Sequence, residues 1–114
     1  MKHLFTLILF LAFVLSGAAQ QNWDSIQVTS EKVRDNIYML KGSGGNIGVL
    51  TGKDGVVMID DQFLQLGKKI QDAIAALDKS PIRITLNTHI HGDHSGSNEY
   101  FSKIGSTIVA HDVV

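Results

Sequence analysis

Nine consecutive residues, 88–96 (Thr-His-Ile-His-Gly-Asp-His-Ser-Gly), constrain the fold of this chain more than any other stretch. Imidazole and carboxylate groups together suit zinc and other borderline divalent metals. Within six residues this stretch offers four of them: His89, His91, Asp93 and His94. On a helix the first two histidines would project about 200° apart, so a tight loop is needed to turn all four inward. Gly92 and Gly96 supply the permissive backbone for such a loop.

The segments on either side place this loop within an α/β sheet. Residues 82–87 are predicted as a buried strand that leads into the loop, and residues 95–103 as a helix that leaves it. Sites in layered α/β proteins commonly form at the carboxyl ends of strands. The alternative is a histidine-rich surface loop that binds no metal. Four ligand groups beside two glycines disfavour that alternative.

The pattern His-x-His-x-Asp-His after a buried strand resembles the signature of the metallo-β-lactamase fold superfamily, which includes β-lactamases, glyoxalase II-type thioesterases and lactonases. The resemblance implies an α/β (α+β) fold, an αββα sandwich of which this chain supplies the N-terminal sheet and its helices. It implies that His89 and His91 bind one metal ion, and that Asp93 and His94 bind a second. The expected cofactor is zinc, as one or two ions, with iron or manganese less favoured.

The same resemblance implies hydrolysis by a metal-bound hydroxide, acting on a β-lactam or on a related ester, thioester or lactone. Asp93 is expected to be catalytic as well as a ligand, because it can orient the hydroxide and accept a proton. Asp60, which ends an earlier strand, is expected to accept a hydrogen bond from a ligand imidazole instead of binding the metal. Its neighbour Asp61 is equally compatible with a solvated loop acid. His111 is not expected to be a ligand, because the family brings its third histidine from much further along the chain.

The first twenty residues have the pattern of an export signal. A basic start precedes an apolar run over residues 4–15, and residues 16–20 offer the small side chains that signal peptidase recognises. The apolar run is short for a membrane span, which needs about 20 residues. Residues 1–20 are therefore predicted to be a signal peptide. The mature protein is expected to be periplasmic or secreted, with no stable membrane anchor after cleavage.

Composition narrows the classes of partner. The formal net charge is −1 and the charged residues are scattered, so the chain has no electrostatic basis for binding nucleic acid. The expected partner is a small-molecule substrate. The chain has no cysteine, which excludes disulfides and thiolate ligands within it. The glycine-rich run 41–46 lacks a Gly-Lys-Ser/Thr sequence and a following helix, so it is predicted to connect two strands and not to bind phosphate. In the resembled family such a loop often overhangs the substrate cleft.

The rest of the pattern predicts further strands and one long helix. An apolar stripe at helical spacing predicts a helix over residues 66–78 that packs on the sheet and ends before Pro81. Turn signals at Asp35-Asn36 and at Asp54-Gly55 separate short strands. Trp23 fits either the surface or the core. The predicted strands besides 82–87 are 26–29, 37–40, 47–51, 56–60 and 107–110.

Residues 21–114 correspond to the N-terminal half of the resembled domain. The second half supplies the remaining ligands in that family, so a C-terminal half of the same fold is the expected partner of this segment. Two protein ligands per ion are fewer than the three typical of catalytic zinc, and the inner sheet face would be bare. The chain alone is therefore predicted to be inactive and unstable or self-associating. Besides a hydrolase, two alternatives stay open: a catalytically inactive truncated half-domain that retains a metal-binding loop, and a redox protein that holds di-iron.

Overall fold

The structure, a computed structural model, describes residues 20–113, which form a six-stranded sheet with its helices packed on one face. The strands lie in the sheet in chain order. The first four pair antiparallel, and the fourth, fifth and sixth pair parallel. Their bounds are β1 (Thr29–Arg34), β2 (Ile37–Lys41), β3 (Ile47–Leu50), β4 (Val56–Ile59), β5 (Ile82–Leu86) and β6 (Thr107–Val109).

Helices make the crossovers that parallel pairing requires. A 3-10 turn (Leu64–Leu66) and α1 (Gly67–Leu77) connect β4 to β5, and two short helices, α2 (Gly92–Ser95) and α3 (Asn98–Lys103), connect β5 to β6. Within residues 20–113 no helix combines the length and the apolar character needed to cross a membrane. The predicted signal peptide, residues 1–20, lies outside this range except for its last residue.

The core lies between the sheet and α1. The apolar stripe predicted along residues 66–78 faces it, so the prediction of a core-facing helix is confirmed. Trp23, which the sequence left undecided, packs against the core, and the centroid of its ring lies 5.0 Å from that of Phe63. The buried apolar residues come from both layers and are Leu40, Ile47, Val49, Val56, Met58, Leu66, Ile70, Ile74, Ile82 and Phe101.

The opposite face of the sheet carries two apolar rows that the described residues leave partly exposed. Strand register aligns the first row as Ile37, Leu50, Val57 and Ile84. It aligns the second row as Met39, Gly48, Ile59, Leu86 and Val109. The ends of the rows are the most open, since Ile37 is 38% and Val109 is 44% exposed. The bare apolar face expected from the sequence is thus present in residues 20–113.

The prediction of a strand over residues 26–29 is wrong, since β1 begins only at Thr29. The side chain of Lys69 reaches this segment from α1. Its Nζ donates to the carbonyl oxygens of Trp23, Asp24 and Ile26 at 2.9, 2.9 and 2.8 Å. Of these three residues only Ile26 belongs to the predicted strand, and its carbonyl is bonded to the lysine instead of to a neighbouring strand. Trp23–Ser25 form a 3-10 turn before it, and Ile26 and Val28 pack against the core.

The helix predicted over residues 95–103 is divided into α2 and α3. Two hydrogen bonds of Ser97 mark the break, because its N–H donates to Asp61 Oδ1 at 2.9 Å and its hydroxyl donates to the Phe63 carbonyl at 2.8 Å. Gly96 lies so close to the backbone of Gln62 and Phe63 that an added β-carbon would collide with it. Contacts with the segment after β4 therefore interrupt the helix. The other strands, and α1, lie within a residue or two of their predicted bounds.

Candidate metal centre

The loop with the predicted ligands lies at the carboxyl ends of the parallel strands β4 and β5. Asp60 follows β4 and donates its N–H to the carbonyl of Leu86 at 2.7 Å, which extends the pairing of the two strands. Asp60 has a φ of +63°, a left-handed conformation that few residues other than glycine adopt, although aspartate is among those that do. The strand ends here, and the Asp60 side chain meets the loop that follows β5.

The carboxylate of Asp60 is the centre of a hydrogen-bond network. Its Oδ1 accepts the N–H of Thr88 at 2.7 Å, and its Oδ2 accepts the Thr88 hydroxyl at 2.8 Å. Oδ2 also lies 2.7 Å from Nδ1 of His94. Asp60 is only 4% exposed, and these three bonds satisfy a carboxylate that would otherwise be costly to bury.

The imidazoles of the loop lie close together around this carboxylate. The ring centroids of His89 and His94 are 4.0 Å apart, and the ring of His91 stands edge-on to that of His89 at 4.8 Å. Asp60, His89 and His94 each bring one potential ligand atom within 4.8 Å of the others. A group of two imidazoles and a carboxylate at this spacing is one that can hold a metal ion.

Asp93 completes the cluster from the turn of α2. Its Oδ2 lies 3.5 Å from Nε2 of His94. The expected irregular loop is partly helical, because α2 spans Gly92–Ser95 and carries both of these residues. The four predicted ligand residues are linked by three contacts, from His91 to His89, from His89 to His94 and from His94 to Asp93. Of the four, only His89 and His94 belong to the group whose potential ligand atoms all lie within 4.8 Å of one another. His111, by contrast, is exposed after β6 and pairs with Asp112 at 2.7 Å.

The glycine-rich run packs directly against two of these side chains. The N–H of Gly45 donates to Asp93 Oδ2 at 3.1 Å. A β-carbon added at Gly44 would overlap the Asp93 side chain, and one added at Gly45 would overlap the ring of His94. Gly44 also has a φ of +81°, which favours glycine. Glycine is therefore needed at both positions, because the contact leaves no room for a side chain.

Gln62 holds the glycine-rich run in place, a role that no pattern in the sequence indicated. Its side chain is buried, its Oε1 accepts the N–H of Ser43 at 3.2 Å, and its Nε2 donates to the carbonyl of Gly45. Its φ of +55° makes it the second left-handed residue within three positions. Two such residues at the end of one strand are the kind of backbone strain that concentrates at functional sites.

Asp61 is not a solvated loop acid, so that alternative is wrong. It is 0% exposed, and its Oδ2 has no hydrogen-bond partner among the described residues. Burial raises the pKa of Asp61 to about 7, opposed by the hydrogen bond from the Ser97 N–H and reinforced by the charge of Asp60. The N–H of Asp61 donates to the His94 carbonyl at 2.8 Å, so the main chain of Asp61 is also hydrogen-bonded to α2.

The donor set fits a borderline divalent metal. Because Nδ1 of His94 is bonded to Asp60 and Nδ1 of His89 to Thr88, Nε2 of each ring is the nitrogen left for an ion. Both oxygens of Asp60 already accept hydrogen bonds. The geometry therefore favours an orienting role for Asp60, even though one of its oxygens is near both imidazoles.

Comparison with protein families gives a match over most of the described chain. The profile of a family described as "Metallo-beta-lactamase superfamily" matches residues 40–113, from the end of β2 past β6. A curated relative, "Metallo-beta-lactamase type 2" of Elizabethkingia meningoseptica, is 29% identical over 108 residues. That alignment covers 86% of this chain and 43% of the relative.

Solved structures resemble the fold over a similar part. A B3 metallo-beta-lactamase with an active-site glutamic acid is 28% identical with a TM-score of 0.66, covering 73% of this chain and 32% of that one. A subclass B3 enzyme of Bradyrhizobium japonicum is 29% identical with a TM-score of 0.63, covering 80% and 35%. A class B3 di-zinc enzyme from an Alaskan soil metagenome, 21% identical with a TM-score of 0.67, covers 80% and 35% and shows likeness of fold alone. The chain thus spans less than half of the curated relative and about a third of these structures.

Proposed function

Since this chain belongs to the metallo-beta-lactamase superfamily, we propose that it forms the zinc-binding part of a hydrolase that acts on a small-molecule substrate. One observation carries the proposal. The side chains of His89, His91, Asp93 and His94 are neighbours at the carboxyl ends of β4 and β5, beside an orienting carboxylate.

We assign His89 and His91 to one zinc ion, and Asp93 and His94 to a second. Asp60 orients imidazoles and does not bind metal in this proposal. In support, Oδ2 of Asp60 is already bonded to both the Thr88 hydroxyl and His94 Nδ1, so a metal bond to this oxygen would displace one of them. Iron or manganese in place of zinc is a less favoured assignment, because an imidazole-rich site with one carboxylate suits zinc.

Zinc bound at this centre would lower the pKa of water toward neutrality and polarise the carbonyl of the substrate. Asp93 is then the catalytic residue of this chain. One of its carboxylate oxygens is held by the Gly45 N–H, and the carboxylate is placed beside His94 to orient the attacking water and accept its proton. The histidines hold the metal and take no part in proton transfer.

A second segment of the same fold is proposed to cover the apolar rows and supply the missing ligands. Two observations support this: the rows are partly exposed in residues 20–113, and the relatives are more than twice as long as the matched part. Two ligands per ion are fewer than the three typical of catalytic zinc. A catalytically inactive half-domain that retains the loop is therefore the second candidate.

We also propose that residues 1–20 are a signal peptide and that the protein is exported.

A β-lactam is the substrate we favour, since the curated relative and the similar structures are metallo-beta-lactamases. Esters, thioesters and lactones are the related classes. The test uses the protein that contains this chain, its His89→Ala variant, and a His111→Ala variant as the control, since His111 lies on the surface outside the cluster. Metal content is measured by mass spectrometry, and hydrolysis is assayed with a chromogenic cephalosporin, a thioester and a lactone.

We expect bound zinc and hydrolysis of at least one substrate in the wild type and in His111→Ala, and loss of both in His89→Ala. Protein that retains zinc but hydrolyses none of the three classes would support the inactive half-domain. Bound iron with redox activity would support a redox protein instead.

A further inference from the structure

We propose that Thr88 is a positioning residue that connects Asp60 to His89, so that one carboxylate orients an imidazole at each of the two metal positions. The inference rests on the proposed function, because it concerns how the assigned ligands are held. It adds a residue that neither the ligand pattern nor the family match assigns.

Thr88 lies between the two groups that it connects. Its Oγ1 is 2.8 Å from Asp60 Oδ2 and 2.9 Å from His89 Nδ1. Its N–H separately donates to Asp60 Oδ1 at 2.7 Å, which fixes the main chain of Thr88 against the carboxylate. His89 itself has no direct hydrogen bond to Asp60, so the hydroxyl is the contact through which the carboxylate reaches this ring.

The number of hydrogens decides the direction of each bond. An ionised carboxylate only accepts, and a threonine hydroxyl has a single hydrogen to donate. The Thr88 hydroxyl therefore donates to Asp60 and must accept from His89. This requires that Nδ1 of His89 carries the proton, which leaves the lone pair of Nε2 free. His94 reaches the same state directly, since its Nδ1 donates to the same Oδ2.

Both rings are thus held in the tautomer that offers Nε2 to a metal ion. Without the hydroxyl, the His89 ring loses its acceptor and can carry the proton on Nε2, which blocks the nitrogen that the ion needs. Groups that orient metal-binding histidines typically change metal affinity 10- to 100-fold. Water reaches Thr88, since this residue is exposed, and can partly replace the hydroxyl. We therefore expect an effect of about 10-fold, at the low end of that range.

The test compares Thr88→Val with Thr88→Ser in the protein that contains this chain. Valine keeps the shape, the β-branch and the N–H bond to Asp60 but lacks the hydroxyl, whereas serine keeps the hydroxyl. The first measurement is the tautomer of each imidazole in metal-free protein, from nitrogen-15 NMR at a pH where the rings are neutral. The second is zinc affinity, from competition with a chromogenic chelator.

We expect Thr88→Val to lose the Nδ1–H state of His89, to keep that of His94, and to bind zinc about 10-fold more weakly. Thr88→Ser should match the wild type in all three. An unchanged His89 tautomer in Thr88→Val would overturn the inference, and so would unchanged zinc affinity. A shift of the His89 tautomer in Thr88→Val, together with a wild-type protein that binds no zinc, would support the positioning role of Thr88 and contradict the proposed function. Thr88→Ala, checked for folding by its amide spectrum, replaces the valine variant if that variant does not fold.

Discussion

The main chain of Gly45 holds the side chain of Asp93, through an N–H to Oδ2 hydrogen bond of 3.1 Å between residues 48 positions apart. A main-chain donor cannot rotate away as a side chain can. Gln62 fixes this donor in turn, through its two bonds to the backbone of Ser43 and Gly45. The orientation of the proposed catalytic carboxylate therefore depends on a loop that precedes it by half of the described chain.

Replacing Gly45 by alanine should disturb the centre through a steric clash. The added methyl group would overlap the His94 ring, so the loop or the ring must move. We expect a loss of about 1–3 kcal/mol in the free energy of unfolding, as for other overpacked sites, and weaker zinc binding. Chemical denaturation and zinc competition measure the two effects. Gly52→Ala is the control, because an added β-carbon there meets nothing closer than the Gly55 carbonyl at 3.9 Å. Equal behaviour of the two variants would contradict the prediction.

Asp60→Asn should weaken zinc binding without straining the backbone. Asparagine tolerates positive φ about as well as aspartate, but its amide nitrogen would face either the Thr88 or the His94 donor. Zinc affinity is expected to fall about 10- to 100-fold, measured by chelator competition. Asp35→Asn is a matched control, since Asp35 also has a positive φ, of +44°, and lies exposed in the β1–β2 turn. Wild-type affinity in Asp60→Asn would remove Asp60 from the ligand-orienting role.

Asp93→Asn should abolish turnover while part of the zinc remains bound. The histidines are untouched, and the amide oxygen of asparagine can still accept the Gly45 N–H. The variant lacks the negative charge and the proton acceptor that the proposed hydrolysis needs. Steady-state kinetics and metal analysis on the same sample separate the two effects, with the exposed Asp112→Asn as the control. Full activity in Asp93→Asn would exclude this carboxylate from the mechanism.

Asp61 should make the stability of the metal-free protein fall as pH rises. Burial raises the pKa of Asp61 from its ordinary value of 3.8 to about 7. Between pH 3.8 and about pH 7, the folded state holds a proton on Asp61 that the unfolded state has lost. The contribution of Asp61 to the free energy of unfolding is therefore fully present below pH 3.8 and is lost as the pH rises toward 7. The slope is about 1.4 kcal/mol per pH unit.

The comparison is Asp61→Asn against Asp54→Asn, with denaturant unfolding measured from pH 4 to pH 8. Asparagine at position 61 still accepts the Ser97 N–H but does not titrate, so its profile should be flatter than that of the wild type. Asp54 lies exposed in the β3–β4 turn, and its variant should keep the wild-type profile. A decline in Asp61→Asn as steep as in the wild type would assign the pH dependence to other groups.

The sequence was sufficient to predict that the side chains of the candidate centre that are contiguous in the chain lie near one another. His89, His91, Asp93 and His94 lie within six residues, so their spacing alone indicated that they meet. The helix α1 was predictable for a similar reason, because a periodic stripe is a local signal. Asp60 required the additional resemblance to a family, since its partners Thr88 and His94 are 28 and 34 residues away.

The features that were missed all depend on distant contacts. The carbonyls of Trp23, Asp24 and Ile26 accept from Lys69, 43 to 46 positions later, and no local pattern shows that Ile26, the first residue of the predicted strand, is held in this way. Gln62 is a polar residue that follows two aspartates, a pattern typical of the protein surface. It is nevertheless buried, and its side-chain amide is hydrogen-bonded to the glycine-rich run. A carboxyl such as Asp61 is ordinarily solvated, whereas here it is buried and bonded to His94 and Ser97, which lie 33 and 36 residues later in the chain.

The order of the strands has a consequence for how the sheet folds. Each strand from β2 to β6 pairs with the one before it in the chain, so no pairing has to close a loop longer than a single crossover, and such a low contact order favours rapid folding. Asp60 and Thr88 follow the neighbouring strands β4 and β5, so the pairing that joins these strands also brings the carboxylate to the loop that carries the imidazoles.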